Sequence, residues 1–331
     1  MKVAVFSARK YDRELLAHAN TAHGHALSFF DVRLTADTAA LAAGYPAVCV
    51  FVNDTVDAAA LAILHAGGTR LVATRSTGFN HIDLAAAKRF GMRVARVTDY
   101  SPHSVAEFAV GLLLAVNRKI HRAYNRTRDG NFELDGLMGF DLHGRTIGVI
   151  GTGKIGTVFA GIMRGFGCAV VGADVNVNPQ FEAQGGQYRS VAEVIAASEV
   201  LSLHCPLTPA TRHLINAQSL ATMRSGALLI NTSRGGLVDT EAVIDALKTG
   251  QLGGLAIDVY EQEADLFFQD LSSAIITDDV IQRLVSFPNV IVTGHQAFFT
   301  HDAVGTIMAT TLANISQYEG GQSLANEVVA P

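Results

Sequence analysis

Short apolar runs alternate with stretches of helical periodicity along the whole chain. Continuous apolar runs bounded by turn residues suit strands buried on both faces, and the 3.6-residue period between them suits covering helices. A first series has strand runs at 3–6, 47–52, 70–75 and 93–97, with helices at 57–66 and 83–90. A second begins at Thr146, with runs at 146–150, 169–173, 200–204, 227–231, 254–258 and 290–293. Six strands with intervening helices is the count of a complete dinucleotide-binding sheet. Between the series, 104–128 reads as one long helix whose start carries Ser104 and Glu107 at capping-box spacing. A last helix at 300–319 is closed by Gly320 and Gly321. The pattern predicts an α/β protein of two parallel-sheet domains, Rossmann-like or flavodoxin-like, with an active-site cleft between them. The expected substrate domain is 1–99 plus 300–331, completed by the last helix, and the expected dinucleotide domain is 100–299.

Composition narrows the class. Of 331 residues, 49% are apolar and 17% charged, enough to bury a core in each half and too few charges for disorder. The net charge of −5, without a basic run, argues against nucleic acid or an anionic membrane as partner. Cys49, Cys168 and Cys205 are far apart and form no CxxC pair, as expected of buried thiols in a reducing, cytoplasmic setting. The apolar run at 3–6 is too short for a signal peptide, and the most apolar helix, 105–116, falls short of the roughly twenty residues a membrane span needs.

The strand at 146–150 runs directly into Gly151-x-Gly153-x-x-Gly156. The first glycine permits a tight turn, the second lets backbone approach a pyrophosphate, and the third lets helix pack on strand. The helix N-terminus that follows favours phosphate. The next strand ends at Asp174, placed to hold both hydroxyls of a ribose, and Val175 follows where an arginine would greet a 2′-phosphate. NAD is the expected cofactor. No metal-ligand cluster is visible.

Oxidising a hydroxy acid with such a cofactor needs a cation for the carboxylate, an acid/base for the hydroxyl proton and a partner for that base. In open α/β sheets these lie beyond the carboxyl ends of strands. The strand at 227–231 leads to Thr232-Ser233-Arg234-Gly235-Gly236, where Arg234 has the planar fork a carboxylate fits. The strand at 290–293 leads to Gly294-His295-Gln296-Ala297-Phe298, and histidine is the natural proton donor near neutrality. The strand at 254–258 leads to Asp258, Glu261 and Glu263, any of which could pair with that histidine.

These runs, with Ser202-Leu-His-Cys-Pro-Leu-Thr208, Tyr11-Asp12 and the stretch 120–128, resemble those of the D-isomer-specific 2-hydroxyacid dehydrogenases over nearly the whole chain. The resemblance is strongest to the bacterial fermentative branch, which interconverts pyruvate and D-lactate. It implies a catalytic triad of Arg234, Glu263 and His295. It implies cofactor contacts at Gly151, Gly153, Lys154, Ile155, Gly156, Asp174, Cys205, Pro206, Thr232, Ser233 and Asp258. Thr77 and Gly78 would donate backbone N–H groups to the substrate carboxylate, Tyr100 and Phe298 would line the side-chain pocket, and Arg234 and His295 would touch substrate. It also implies a homodimer or homotetramer, with the helix from Ser104 as a dimer surface. Two alternatives stand beside pyruvate reduction: a 2-hydroxyacid dehydrogenase for other keto acids, larger ones included, and a non-catalytic NAD-sensing corepressor-like protein.

Overall fold

The computed structural model describes residues 1–329. The chain forms two compact units, Met1–Ser101 together with the chain from Phe299 onward, and Pro102–Phe298.

The smaller unit contains β1 (Lys2–Val5), α1 (Lys10–Ala19), β2 (Ala26–Phe29), β3 (Ala47–Val50), α2 (Ala58–Ala66), β4 (Leu71–Thr74), α3 (Leu84–Arg89) and β5 (Arg93–Ala95). Its sheet is parallel in the order β2-β1-β3-β4-β5, the flavodoxin-like winding. Helices α2 and α3 start where an aspartate caps them: Asp57 accepts from the Ala60 N–H and Asp83 from the Ala86 N–H. The C-terminal helix His301–Glu319 packs on α1 and β4. Strand β2 was absent from the apolar pattern. It is an edge strand, paired only with β1, and none of its four residues is fully buried, so nothing selects an apolar run there.

One arginine ties this unit's loops together. Arg75, 1% exposed, lies under the carboxyl ends of three strands. It donates to the Cys49 and Phe6 carbonyls at 3.4 and 3.2 Å and sits 3.3 Å from the Asp12 carboxylate. Nearby, the buried Asp54 accepts from the Ser7 hydroxyl and from the Phe51 and Leu34 N–H groups at 2.6, 2.7 and 2.8 Å.

The larger unit contains α4 (Pro102–Arg118), α5 (Ile120–Arg128), β6 (Thr146–Ile150), α6 (Lys154–Gly165), β7 (Ala169–Ala173), α7 (Pro179–Ala183), β8 (Gln187–Tyr188), α8 (Val191–Ala197), β9 (Val200–Leu203), α9 (Ala217–Thr222), β10 (Ala227–Asn231), α10 (Thr240–Thr249), β11 (Leu252–Ile257), α11 (Asp279–Val285) and β12 (Val290–Val292). Its parallel sheet runs β12-β11-β10-β9-β6-β7-β8, so the chain reverses direction of winding between β6 and β9. Alternate residues of the central strands feed two cores. Leu201, Leu229 and Leu255 face one, while Val149 and Ile230 face the other, with Leu113 of α4 and Phe159 of α6.

Three expectations are corrected here. The sheet has seven strands, not six, because β8 adds a two-residue edge pairing with β7. The stretch 104–128 is two helices, not one. Lys119 takes a left-handed backbone, φ 49°, and its ammonium donates to the Met138 carbonyl at 2.6 Å. The neighbouring Asn117 exchanges two hydrogen bonds with the Phe140 backbone. These ties to the returning chain offset the cost of the kink. The helix also starts earlier than the capping-box spacing suggests. Pro102 occupies its first turn, where a missing N–H costs nothing, and Ser104 is buried inside it. Among the described residues, no helix is long and apolar enough to cross a membrane.

Candidate active site

The glycine-rich turn leaves β6 at the point where winding reverses, the usual place for a ligand in such sheets. Gly151 has φ 94°, and a Cβ there would lie 2.5 Å from the Cys205 nitrogen. A Cβ on Gly156 would meet the Gly151 carbonyl. Gly153 has open space on its Cβ side, as a turn that receives a pyrophosphate needs, and α6 begins at Lys154 directly after it, followed by Ile155. The Asp174 carboxylate, at the end of β7, accepts from the Thr152 N–H at 2.6 Å and the Asn176 N–H at 3.1 Å. Val175 beside it is 96% exposed.

The opposite side of the turn is made by residues after β9 and β10. Cys205 is buried, and burial pushes its thiol up to about 11, so it offers a neutral apolar surface, with the exposed Pro206 next to it. The Ser233 hydroxyl donates to the Cys205 carbonyl at 2.6 Å. The hydroxyl of Thr232 is buried without a hydrogen-bond partner among the described residues, an orphan that a bound polar group could satisfy. Open space at Gly153, an exposed carboxylate at the end of β7 and this orphan together fit a dinucleotide. Sequence reasoning missed Tyr188 and Asn178, which brace the turn through Thr152. The Tyr188 hydroxyl bonds the Thr152 hydroxyl and accepts from the Asn178 N–H, and the Asn178 amide donates to the Thr152 carbonyl. The glycine pattern carries no signal for these partners, which lie on β8 and the chain before it.

Beyond β12, His295 stands with φ 54°, a strained backbone for a residue with a Cβ. Asp258 makes that strain tolerable. Its carbonyl accepts from the His295 N–H at 2.8 Å. Its carboxylate accepts from the Thr293 hydroxyl at 2.6 Å, the Gln296 N–H at 2.9 Å and the Ala297 N–H at 2.8 Å. Asp258 is fully buried; burial pushes its pKa up, and the three donors and His295 work against that rise. What the structure shows of Asp258 is therefore a brace for the histidine turn.

His295 Nδ1 lies 2.8 Å from Glu263 Oε1, and the second oxygen of Glu263 accepts from the Tyr260 N–H at 2.9 Å. Glu261, the nearer competitor in sequence, is engaged elsewhere, by Arg212 at 2.8 Å and His213 at 2.9 Å. Phe268 packs on the imidazole with ring centroids 5.8 Å apart, a neighbour the sequence gives no reason to choose. Arg234 follows β10 in extended conformation, partly buried. Its guanidinium donates to the Ser233 carbonyl at 2.6 Å, and among the described residues no carboxylate lies within ion-pair distance of it. Gly235 next to it is required by close approach: a Cβ would lie 2.1 Å from the Tyr260 carbonyl carbon. Phe298 follows the histidine turn, partly buried.

In the smaller unit, the loop after β4 carries Thr77 and Gly78. Its successive carbonyls are all occupied: Ser76 O by the Val97 N–H at 3.0 Å, Thr77 O by Arg96 at 3.1 Å, and Gly78 O by the Ser76 hydroxyl at 2.7 Å. The N–H groups of Thr77 and Gly78 donate to nothing among the described residues. Two adjacent N–H groups without an acceptor among the described residues are donors of the kind an anion uses. Tyr100, half-buried, lies between β5 and α4.

Comparison with known proteins agrees with this chemistry. Residues 110–297 match the model of the D-isomer specific 2-hydroxyacid dehydrogenase NAD-binding domain. The chain is 50% identical over 319 residues to 2-hydroxyacid dehydrogenase homolog 1 of Schizosaccharomyces pombe, covering 96% of each chain. It is 47% identical over 329 residues to the D-lactate dehydrogenase of Escherichia coli, covering 99% of this chain and 100% of that one. A solved structure described as the pyruvate reductase of Chlamydomonas reinhardtii superposes with a TM-score of 0.93 at 42% identity, covering 98% of each chain. The chain belongs to the D-isomer specific 2-hydroxyacid dehydrogenase family, and its cofactor is NAD.

Proposed function

We propose that the protein is a D-lactate dehydrogenase that reduces pyruvate to D-lactate, reversibly, in the cytoplasm. Three buried, unpaired cysteines agree with a reducing compartment. The observation that carries the reading is the His295–Glu263 pair, together with an Arg234 that has no carboxylate partner among the described residues. A partly buried cation without an anion is arranged for an anionic ligand.

In the reduction, Arg234 binds the carboxylate of pyruvate and polarises the adjacent ketone. When bound, NADH would supply the hydride for the carbonyl carbon. Glu263 fixes Nδ1 of His295, which leaves Nε2 to give the ketone oxygen its proton. Thr77 and Gly78 offer their N–H groups to the substrate carboxylate, and Tyr100 and Phe298 limit the space for the substrate's side chain. The cofactor contacts assigned here are Gly151, Gly153, Lys154, Ile155, Gly156, Asp174, Cys205, Pro206, Thr232 and Ser233, with Asp258 acting through the histidine turn. The same reading makes the protein a homodimer or homotetramer. In support, Ile120, Tyr124, Phe132, Leu134 and Met138 expose 54, 59, 76, 81 and 88% of their surface in and after α5.

Initial rates of NADH oxidation over a panel of 2-keto acids test the assignment. Pyruvate is expected to give the highest kcat/KM, and a preference for a branched-chain or aromatic keto acid would contradict it. Arg234→Lys keeps the charge and loses the fork. It should raise KM for pyruvate and lower kcat, since two charge-assisted bonds of roughly 1.5–3 kcal/mol each are at stake.

A further inference from the structure

We propose that Arg96 is a positioning residue for substrate binding: its guanidinium holds and polarises the Thr77–Gly78 peptide whose N–H group receives the substrate carboxylate. The inference rests on the reading of this loop given above and adds a residue to which no role has been assigned.

Arg96 Nη1 donates to the Thr77 carbonyl at 3.1 Å. That carbonyl shares its peptide plane with the Gly78 N–H, which has no partner among the described residues. A cation on the oxygen of an amide draws electron density from its nitrogen, so the N–H at the other end becomes a stronger donor. The neutral ties on the adjoining peptides, from the Val97 N–H and the Ser76 hydroxyl, fix their orientation without a full charge.

The residue is itself held in place. Its N–H donates to the Asn326 carbonyl at 3.0 Å, and its carbonyl accepts from the Asn314 side chain at 2.9 Å. Asn326 in turn donates to the Asn314 amide oxygen at 2.9 Å. The guanidinium lies 5.0 Å from the centroid of the Phe79 ring, one residue beyond the loop it serves. A solvated surface arginine needs none of this scaffolding. Two residues of the C-terminal part of the chain thus fix the backbone from which Arg96 reaches the loop.

Carboxylate binding is present in both the ground state and the transition state, so weakening it raises KM and leaves kcat nearly unchanged. Arg96→Met should therefore raise KM for pyruvate, and the inhibition constant of oxamate, by roughly tenfold. The dissociation constant of NADH and the value of kcat should stay within about twofold of wild type. Arg96→Lys, which keeps a cationic donor, should recover most of the loss. The amide proton of Gly78, followed by NMR in glycine-labelled protein without substrate, should move upfield in Arg96→Met and much less in Arg96→Lys. An unmoved Gly78 resonance, or a joint fall of kcat and NADH affinity, overturns the proposal. A Gly78 resonance that moves while KM and oxamate inhibition do not overturns the assignment of this loop to the substrate carboxylate, and the proposal with it. If Arg96→Met does not fold, Arg96→Gln carries the same comparison with a neutral donor.

Discussion

Glu263 and Glu261 stand two positions apart and meet different partners. Glu263 faces the imidazole, while Glu261 is shared between Arg212 and His213. Glu263→Gln should lower kcat for pyruvate about a hundredfold, within the range of a positioned acid/base pair, and leave NADH binding intact. Glu261→Gln should cost only the modest energy of a partly exposed ion pair and leave kcat close to wild type. Steady-state kinetics on both variants decide it, and a large loss from Glu261→Gln alone would contradict the assignment. At this scale the sequence was informative where chemistry and strand position coincide, as at Arg234 and His295. It implied Asp258 as a cofactor contact but carried no sign of the brace that its buried carboxylate makes for the histidine turn, because those donors are brought in by the fold. Tyr188 and Asn178 escaped for a similar reason, since their partners are set by the tertiary fold.

Among the elements, the central strands were legible and the edges were not. Strands β3, β4 and β9 are buried along their whole length, and the apolar run this requires is plain in the sequence. Strands β2 and β8 lie at sheet edges and are held by pairing on one side, which selects no such run. The break at Lys119 was hidden because its cause, the ties to Met138 and Phe140, is long-range. The exit of β9 carries its own pH dependence. His204 packs on Phe159 with ring centroids 5.0 Å apart, and burial pushes its pKa down to about 3. In the unfolded chain it titrates near the ordinary value of about 6.5. The stabilising effect of keeping it neutral is complete above that value and is lost as pH falls toward 3. Because the residue as a whole is only partly buried, the slope should be on the order of 1 kcal/mol per pH unit or less. Urea unfolding of the wild type and His204→Gln at pH 7 and pH 5 should show a smaller acid-induced loss in the variant. Equal losses would mean that His204 is accessible enough to titrate in the folded state.

For the molecule as a whole, the two parallel sheets follow from the alternation of apolar runs and helices that opens the sequence, whereas their strand orders are seen only in the structure. Both sheets are parallel, and each buries its central strands between layers of helix. What the pattern could not reveal is the way buried polar groups organise the loops of the smaller unit. Arg75, Asp12 and Asp54 appear in sequence as ordinary charged residues, yet all three are buried beneath its strand ends. The loop that follows Arg75 carries Thr77 and Gly78, and the larger unit by itself holds Arg234 and the His295–Glu263 pair. The central claim is that the protein reduces pyruvate on one face only. Purified protein with NADH and pyruvate, followed by chiral chromatography of the lactate formed, tests this most directly. The account predicts stoichiometric oxidation of NADH and D-lactate as the sole enantiomer. L-lactate, a racemic product, or no turnover by folded, NADH-binding protein would contradict it.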